Sequence, residues 1–150
     1  MKMQKYSIYG SALLVIALLL GACGDKEKVK SASTVDEEKS DFGFQSFDLE
    51  VDTADHKEAI EASIEIKGST IEAEYVNRIE PKKLKGDKAY DEMLPMLKKI
   101  DLSKDMTKDD VIKKVSKAFD VEDYTKFDLE VEFSDGKQKV YKDKKSKKSK

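Results

Sequence analysis

Cys23 is the residue whose surroundings specify a covalent chemistry. It closes the run Leu20-Gly21-Ala22-Cys23, which ends an apolar segment and gives way at once to charged sequence. Lys2 and Lys5 form a positive n-region, Ile8 to Leu20 an apolar h-region, and Gly21 and Ala22 the small residues that a signal peptidase accepts. In this lipobox pattern the thiolate takes a diacylglyceryl group, and cleavage before Cys23 leaves it as the new N-terminus. An uncleaved membrane helix fits less well, since a span needs ~20 apolar residues and Tyr6, Ser7, Gly10 and Ser11 shorten this run. Residues 1–22 are therefore expected to be a signal peptide. Diacylglyceryl-Cys23 would hold the mature chain on the outer face of the cell membrane, because two acyl chains anchor firmly where one binds marginally.

Cys23 is the only cysteine, so the mature chain is left without disulfide, thiol nucleophile or thiolate metal ligand. His56 is the only histidine and lies in the polar stretch Thr53-Ala-Asp-His-Lys57. Nothing in the sequence nominates the nucleophile and orienting group that a catalytic histidine needs, so it reads as a solvated loop residue. Asp101, Asp105 and Asp109 recur every four residues, but without the alternate-residue ligands and central Gly of a calcium loop. Helix capping accounts for them better. No Gly-rich phosphate loop or zinc spacing occurs, and no catalytic residue, metal or cofactor is expected.

One pattern of potential binding chemistry remains. Asp48, Glu50, Asp52, Glu61, Glu65, Glu72, Glu74, Asp128, Glu130 and Glu132 all fall on the outward phase of strand-like alternations. They would share the sheet face opposite the core. Such a face is ordinarily just solvated; as a binding surface it would take a cationic protein segment or divalent ions. The formal net charge of −2 conceals the asymmetry, because the run Lys142 to Lys150 holds six lysines against Asp143 and leaves the body acidic. An acidic body argues against nucleic acid as a partner.

The elements that must position these residues follow from periodicity. Residues 23–42 carry too few apolar side chains to bury and read as a lipidated, disordered tether. Residues 43–142 form a single domain. Phe47, Leu49 and Val51 alternate with acids, as do Ile60, Ala62, Ile64 and Ile66. Gly68-Ser69 suits a two-residue type II′ turn that pairs Ile66 with Ile71, Ile64 with Ala73 and Ala62 with Tyr75. That register sets Glu65 opposite Glu72 and Ser63 opposite Glu74. Residues 80–86 read as a loop around Pro81 and Gly86, after which Asp87 caps a helix that Pro95 should kink or split. Thr107-Lys-Asp-Asp110 opens a second helix with stripe Val111, Ile112, Val115, Ala118 and Phe119. A closing hairpin is expected at Asp135-Gly136 as a type I′ turn, with Val131 opposite Val140, Glu132 opposite Lys139 and Val140 buried. Phe127-Asp-Leu-Glu-Val131 repeats Phe47-Asp-Leu-Glu-Val51, a pattern too common in strands to establish duplication. Residues 143–150 read as a Lys-rich disordered tail. The order strand, hairpin, two helices, hairpin implies an α+β fold: an antiparallel sheet of about five strands with helices packed on one face.

Four motif groups span nearly the whole domain: Phe47-Asp-Leu-Glu-Val51, Gly86-Asp-Lys-Ala-Tyr90 with Leu94-Pro95, Met106-Thr-Lys-Asp-Asp-Val111 with Val115 and Phe119, and Phe127-Asp-Leu-Glu-Val131. In these the body resembles the YusW-like family of small, uncharacterised lipoproteins of Gram-positive bacteria. These motifs are structural, so the resemblance implies an anchored lipoprotein and brings no active site. A topological similarity to PepSY-type extracytoplasmic domains implies, as the alternative, a regulator or inhibitor of an extracellular protease. A small hydrolase is the third and weakest reading. The expectation is a membrane-anchored, non-catalytic binding or accessory domain whose candidate cation-binding face comprises Glu65, Glu72, Glu74, Asp48, Glu50, Asp128, Glu130 and Glu132.

Overall fold

The computed structural model describes residues 27–29 and 42–146. The segment expected to be a signal peptide, Cys23, most of the expected tether and residues 147–150 lie outside that range. The elements in chain order are β1 (Glu27–Lys28), β2 (Phe44–Asp52), β3 (Ile60–Lys67), β4 (Thr70–Asn77), β5 (Lys82–Lys85), α1 (Asp87–Ile100), α2 (Lys108–Ala118), β6 (Lys126–Phe133) and β7 (Gln138–Lys144). All strands join one antiparallel sheet in the order β1-β4-β3-β2-β6-β7, with β5 on the β1 side of β4. The five long strands are those that alternation predicts, and the α+β class follows.

One sheet face is apolar because every second residue of the long strands is. Phe47, Leu49, Val51, Ile60, Ile64, Ile71, Phe127 and Leu129 are each at most 1% exposed. Both helices lay their apolar stripes on this face. Tyr90, Met93, Leu97 and Ile100 of α1 and Val111, Ile112 and Val115 of α2 are buried, and the Phe119 ring stacks on Phe47 at 6.2 Å. Burying a side chain of this kind is worth ~1.5–3 kcal/mol, so this shared core is the main source of stability.

The β3–β4 hairpin closes at Gly68-Ser69 in the expected register, with Ile66 opposite Ile71 and Ala62 opposite Tyr75. The β6–β7 hairpin does not. Gly136 N–H bonds to Phe133 O and Phe133 N–H to Lys137 O, so the loop is the three residues Ser134, Asp135 and Gly136, with Gly136 at φ 81°. A turn over Ser134-Asp135 followed by a left-handed glycine is the three-residue hairpin loop with a bulge. The extra residue slips the register by one: Val131 faces Lys139, Glu132 faces Gln138, and Glu130 faces Val140. Since side chains alternate, the slip turns Val140 outward, 50% exposed, and Tyr141 into the core.

Five further differences have local causes. Lys82–Lys85, expected as loop, pairs with β4 as a short strand whose Leu84 meets Tyr75. Asp87 is not the cap of α1 but its first residue. The chain instead turns at Gly86 (φ 58°, ψ −134°), a conformation that only glycine adopts without strain. Pro95 leaves α1 unbroken because both Pro95 and Asp91, whose carbonyl loses its bond, lie on the solvent side. Within the presumed tether, Glu27–Lys28 pairs with β4, and Val29 donates to Ile71 O at 2.8 Å while packing on the core. At the other end β7 continues through Asp143 and Lys144, the first residues of the presumed tail.

Helix α2 begins as its sequence predicts. Thr107 Oγ1 accepts the Asp110 N–H at 3.2 Å and donates to Asp110 Oδ2 at 2.7 Å. Of the three spaced aspartates, Asp101 is the left-handed C-cap of α1 and Asp109 sits in the first turn of α2.

Candidate functional site

The sheet face away from the helices carries the outward residues, and the register arranges them in rows across the strands. One row runs Lys28, Glu72, Glu65, Ser46, Glu132, Gln138. The next runs Lys85, Glu74, Ser63, Asp48, Glu130, Val140. A third runs Lys83, Val76, Glu61, Glu50, Asp128, Lys142. The strand order thus concentrates acids on β4, β3, β2 and β6 and puts lysines at both edges. All eight candidate residues lie on this one face.

Four pairs of acids stand directly opposed: Glu65 with Glu72, Glu61 with Glu50, Glu50 with Asp128, and Asp48 with Glu130. Opposed like charges destabilise a sheet by ~0.2–1 kcal/mol each, and cations relieve part of this. Lys126 Nζ lies 2.6 Å from Glu50 Oε1, Arg78 Nη1 2.7 Å from Glu61 Oε2, Lys142 Nζ 2.9 Å from Asp128 Oδ2, and Lys67 Nζ 2.9 Å from Glu65 Oε1. Hydrogen bonding to their carboxylates raises Lys126 and Lys67 above the ordinary lysine range. Asp128 Oδ1, by contrast, is buried without a hydrogen-bond partner. Asp52 belongs less to the face than to its margin, where its Oδ1 accepts the Glu58 N–H at 2.9 Å and shapes the β2–β3 connection.

Between β2, β3 and β4 the face sinks into a depression of about 320 Å³, with Asp48, Glu50, Glu61 and Glu74 among its walls. Ser63 and Val76, 7% and 9% exposed, belong to its lining. Sequence reasoning placed Ser63 outward but passed over it. The signal was present: a small residue interrupts the outward acids between Glu61 and Glu65, as Val76 interrupts them after Glu74.

A model of the YusW-like protein family matches residues 45–135, well over half of the chain. The chain belongs to the YusW-like family. The match takes in every long strand but β7, along with both helices and the floor of the depression. No curated protein and no solved structure matches the chain. In the YusW-like domain the two Phe-Asp-Leu-Glu-Val segments are neighbours, paired antiparallel about Leu49 and Leu129 so that Phe47 meets Val131 and Val51 meets Phe127. The same pairing necessarily sets Asp48 against Glu130 and Glu50 against Asp128. The repeated segment therefore builds both the core's centre and the acidic centre of the opposite face.

His56 is exposed on the β2–β3 connection, its N–H bonded to Thr53 Oγ1 at 3.2 Å. Among the described residues no three His, Cys, Asp or Glu side chains are grouped closely enough to hold a metal ion, and no helix is long and apolar enough to cross a membrane.

Proposed function

We propose that this YusW-like chain is an extracytoplasmic lipoprotein, held to the cell membrane through Cys23, whose domain is a non-catalytic binding or accessory module. Its working surface is the open acidic face, and its partner is a basic protein segment. The observation that carries this reading is the opposition of like charges in the middle of the sheet, at Glu50 between Glu61 and Asp128 and at Asp48 against Glu130. The helix-covered face meets every demand of folding, so folding gives no reason to collect repelling carboxylates on the other. A partner bringing positive charge would relieve the repulsion on binding. Spread-out carboxylates with no metal-sized cluster favour a polypeptide over a divalent ion.

Anchoring rests on the leader pattern and is tested separately. Cys23→Ala should abolish incorporation of radiolabelled fatty acid and release the chain from the membrane fraction. Continued labelling of the variant would refute the anchor. For the surface, a soluble basic peptide added at fixed low ionic strength should raise the melting temperature of the chain, and an acidic peptide of equal length should not.

A further inference from the structure

We propose that the depression between β2, β3 and β4 is a seat for a lysine side chain of the basic segment, a reading that rests on the acidic face being the binding surface. Ser63 decides the place. Its side chain is more than nine-tenths buried, lines the depression, and has no hydrogen-bond partner. The hydroxyl opens on the hollow without a partner from the protein, so a donor arriving from outside meets an acceptor that the fold leaves free. Five carboxylates, Asp48, Glu61 and Glu74 among them, face two cations, Arg78 and Lys83, around the same hollow. The lining therefore calls for a positively charged donor. Val76, apolar and nearly buried there, offers a surface for an aliphatic stem. An ammonium on a methylene chain meets all three demands: charge for the walls, a donor for Ser63 Oγ, and methylenes for Val76. A planar guanidinium is less suited, because its five fixed donors need in-plane acceptors whereas an ammonium rotates to whatever is near.

The test uses the full-length chain in neutral detergent and a fluorescein-labelled Lys-Val-Lys-Val-Lys peptide, with binding read by anisotropy at fixed low ionic strength. Wild type should bind it, and acetylation of the three lysine side chains should abolish binding. Glu74→Gln should weaken binding about tenfold, as expected for loss of a charge-assisted contact. Ser63→Ala, which leaves net charge unchanged, should weaken it about threefold. Glu130→Gln removes the same charge from the same binding face but outside the depression, and should weaken binding only about twofold against the tenfold of Glu74→Gln. Melting curves establish that each variant is folded. Equal losses in Glu74→Gln and Glu130→Gln, with none in Ser63→Ala, would overturn the lysine seat while leaving the acidic face as a diffuse binding surface. Absence of binding by folded wild type would overturn both.

Discussion

The two faces of this sheet are made by the same strands, residue by residue in alternation, and obey opposite rules. On the covered face, neighbours across strands complement one another: Phe47 lies between Ile64 and Val131, and Leu49 between Ala62 and Leu129. On the open face they conflict, with Glu50 between Glu61 and Asp128. Backbone and register are common to both, so the difference lies in what each face must meet. One meets the protein's own helices. The other holds repulsion that water and a few lysines screen only in part, a tolerable state because a sheet anchored by its core withstands ~0.2–1 kcal/mol per bad pair. Stability is thus concentrated on one side and latitude for recognition on the other.

That contrast is open to direct attack. The largest effect should come from the covered face: Leu49→Ala leaves a cavity at the centre of the sheet and should lower unfolding free energy by ~2–5 kcal/mol, measured by urea denaturation. A loss below about 1 kcal/mol would mean that the two faces do not differ in kind.

Next comes the margin where the two faces meet. Tyr124 is buried, its hydroxyl donates to Asp143 Oδ2 at 2.7 Å, and Lys145 Nζ stands 3.8 Å over its ring. Burial first, and then the bond to Asp143, pushes the Tyr124 hydroxyl up to about 12. A phenol raised in the folded state stays protonated where the unfolded chain has already ionised. Stability contributed by Tyr124 is therefore complete below the unfolded value of ~10 and falls as pH rises toward 12, by up to about 2–3 kcal/mol. Asp143 runs the other way. The Tyr124 hydrogen bond holds its carboxyl below the ordinary range, so its contribution is present above ~3.9 and is lost on further acidification. Tyr124→Phe should flatten the alkaline limb of melting temperature against pH, and an unchanged limb would remove Tyr124 as its source.

A smaller effect tests which side of β7 belongs to which face. Gly136→Ala meets no atom within 4 Å but forces a φ of 81° on alanine, and should destabilise by ~1 kcal/mol or somewhat more. Val140→Thr, on the strand that follows the loop, should be almost silent. If the two were reversed in effect, Val140 would be the inward residue. The smallest effect sharpens the open face itself: Glu72→Lys relieves the opposition to Glu65 but sets two lysines face to face at Lys28. The changes offset, and stability should move by no more than a few tenths of a kcal/mol.

Much of this organisation could be read from the chain itself. Alternation is a strong signal when it is as regular as in Phe47 to Val51 or Ile60 to Ile66, and it located the five long strands, the outward phase of acids such as Asp48 and Glu50, and the first hairpin to the residue. What escaped was of three physical kinds. Asp135-Gly136 is compatible with both a two-residue and a three-residue loop, and the choice between them inverted Val140 and Tyr141. Lys82–Lys85 and Glu27–Lys28 are too short and too charged to carry a period, and they become strands only because β4 offers an open edge. The depression has no linear signature at all, since Ser63 and Val76 acquire their common surroundings only when β2, β3 and β4 lie side by side.

The position of β2 also governs when the domain can exist. It is the first long strand made and sits between β3 and β6, yet its pairing with β6 joins Leu49 to Leu129. The β3–β4 hairpin and the helices can form from local contacts as soon as their residues are free, whereas the middle of the sheet must wait for a segment that follows both helices. Pairings between such distant segments are slow to close. A chain emerging from its N-terminus therefore keeps β2 unpaired along one edge until β6 appears, so that folding completes in one late step and a chain truncated before Lys126 has no finished core.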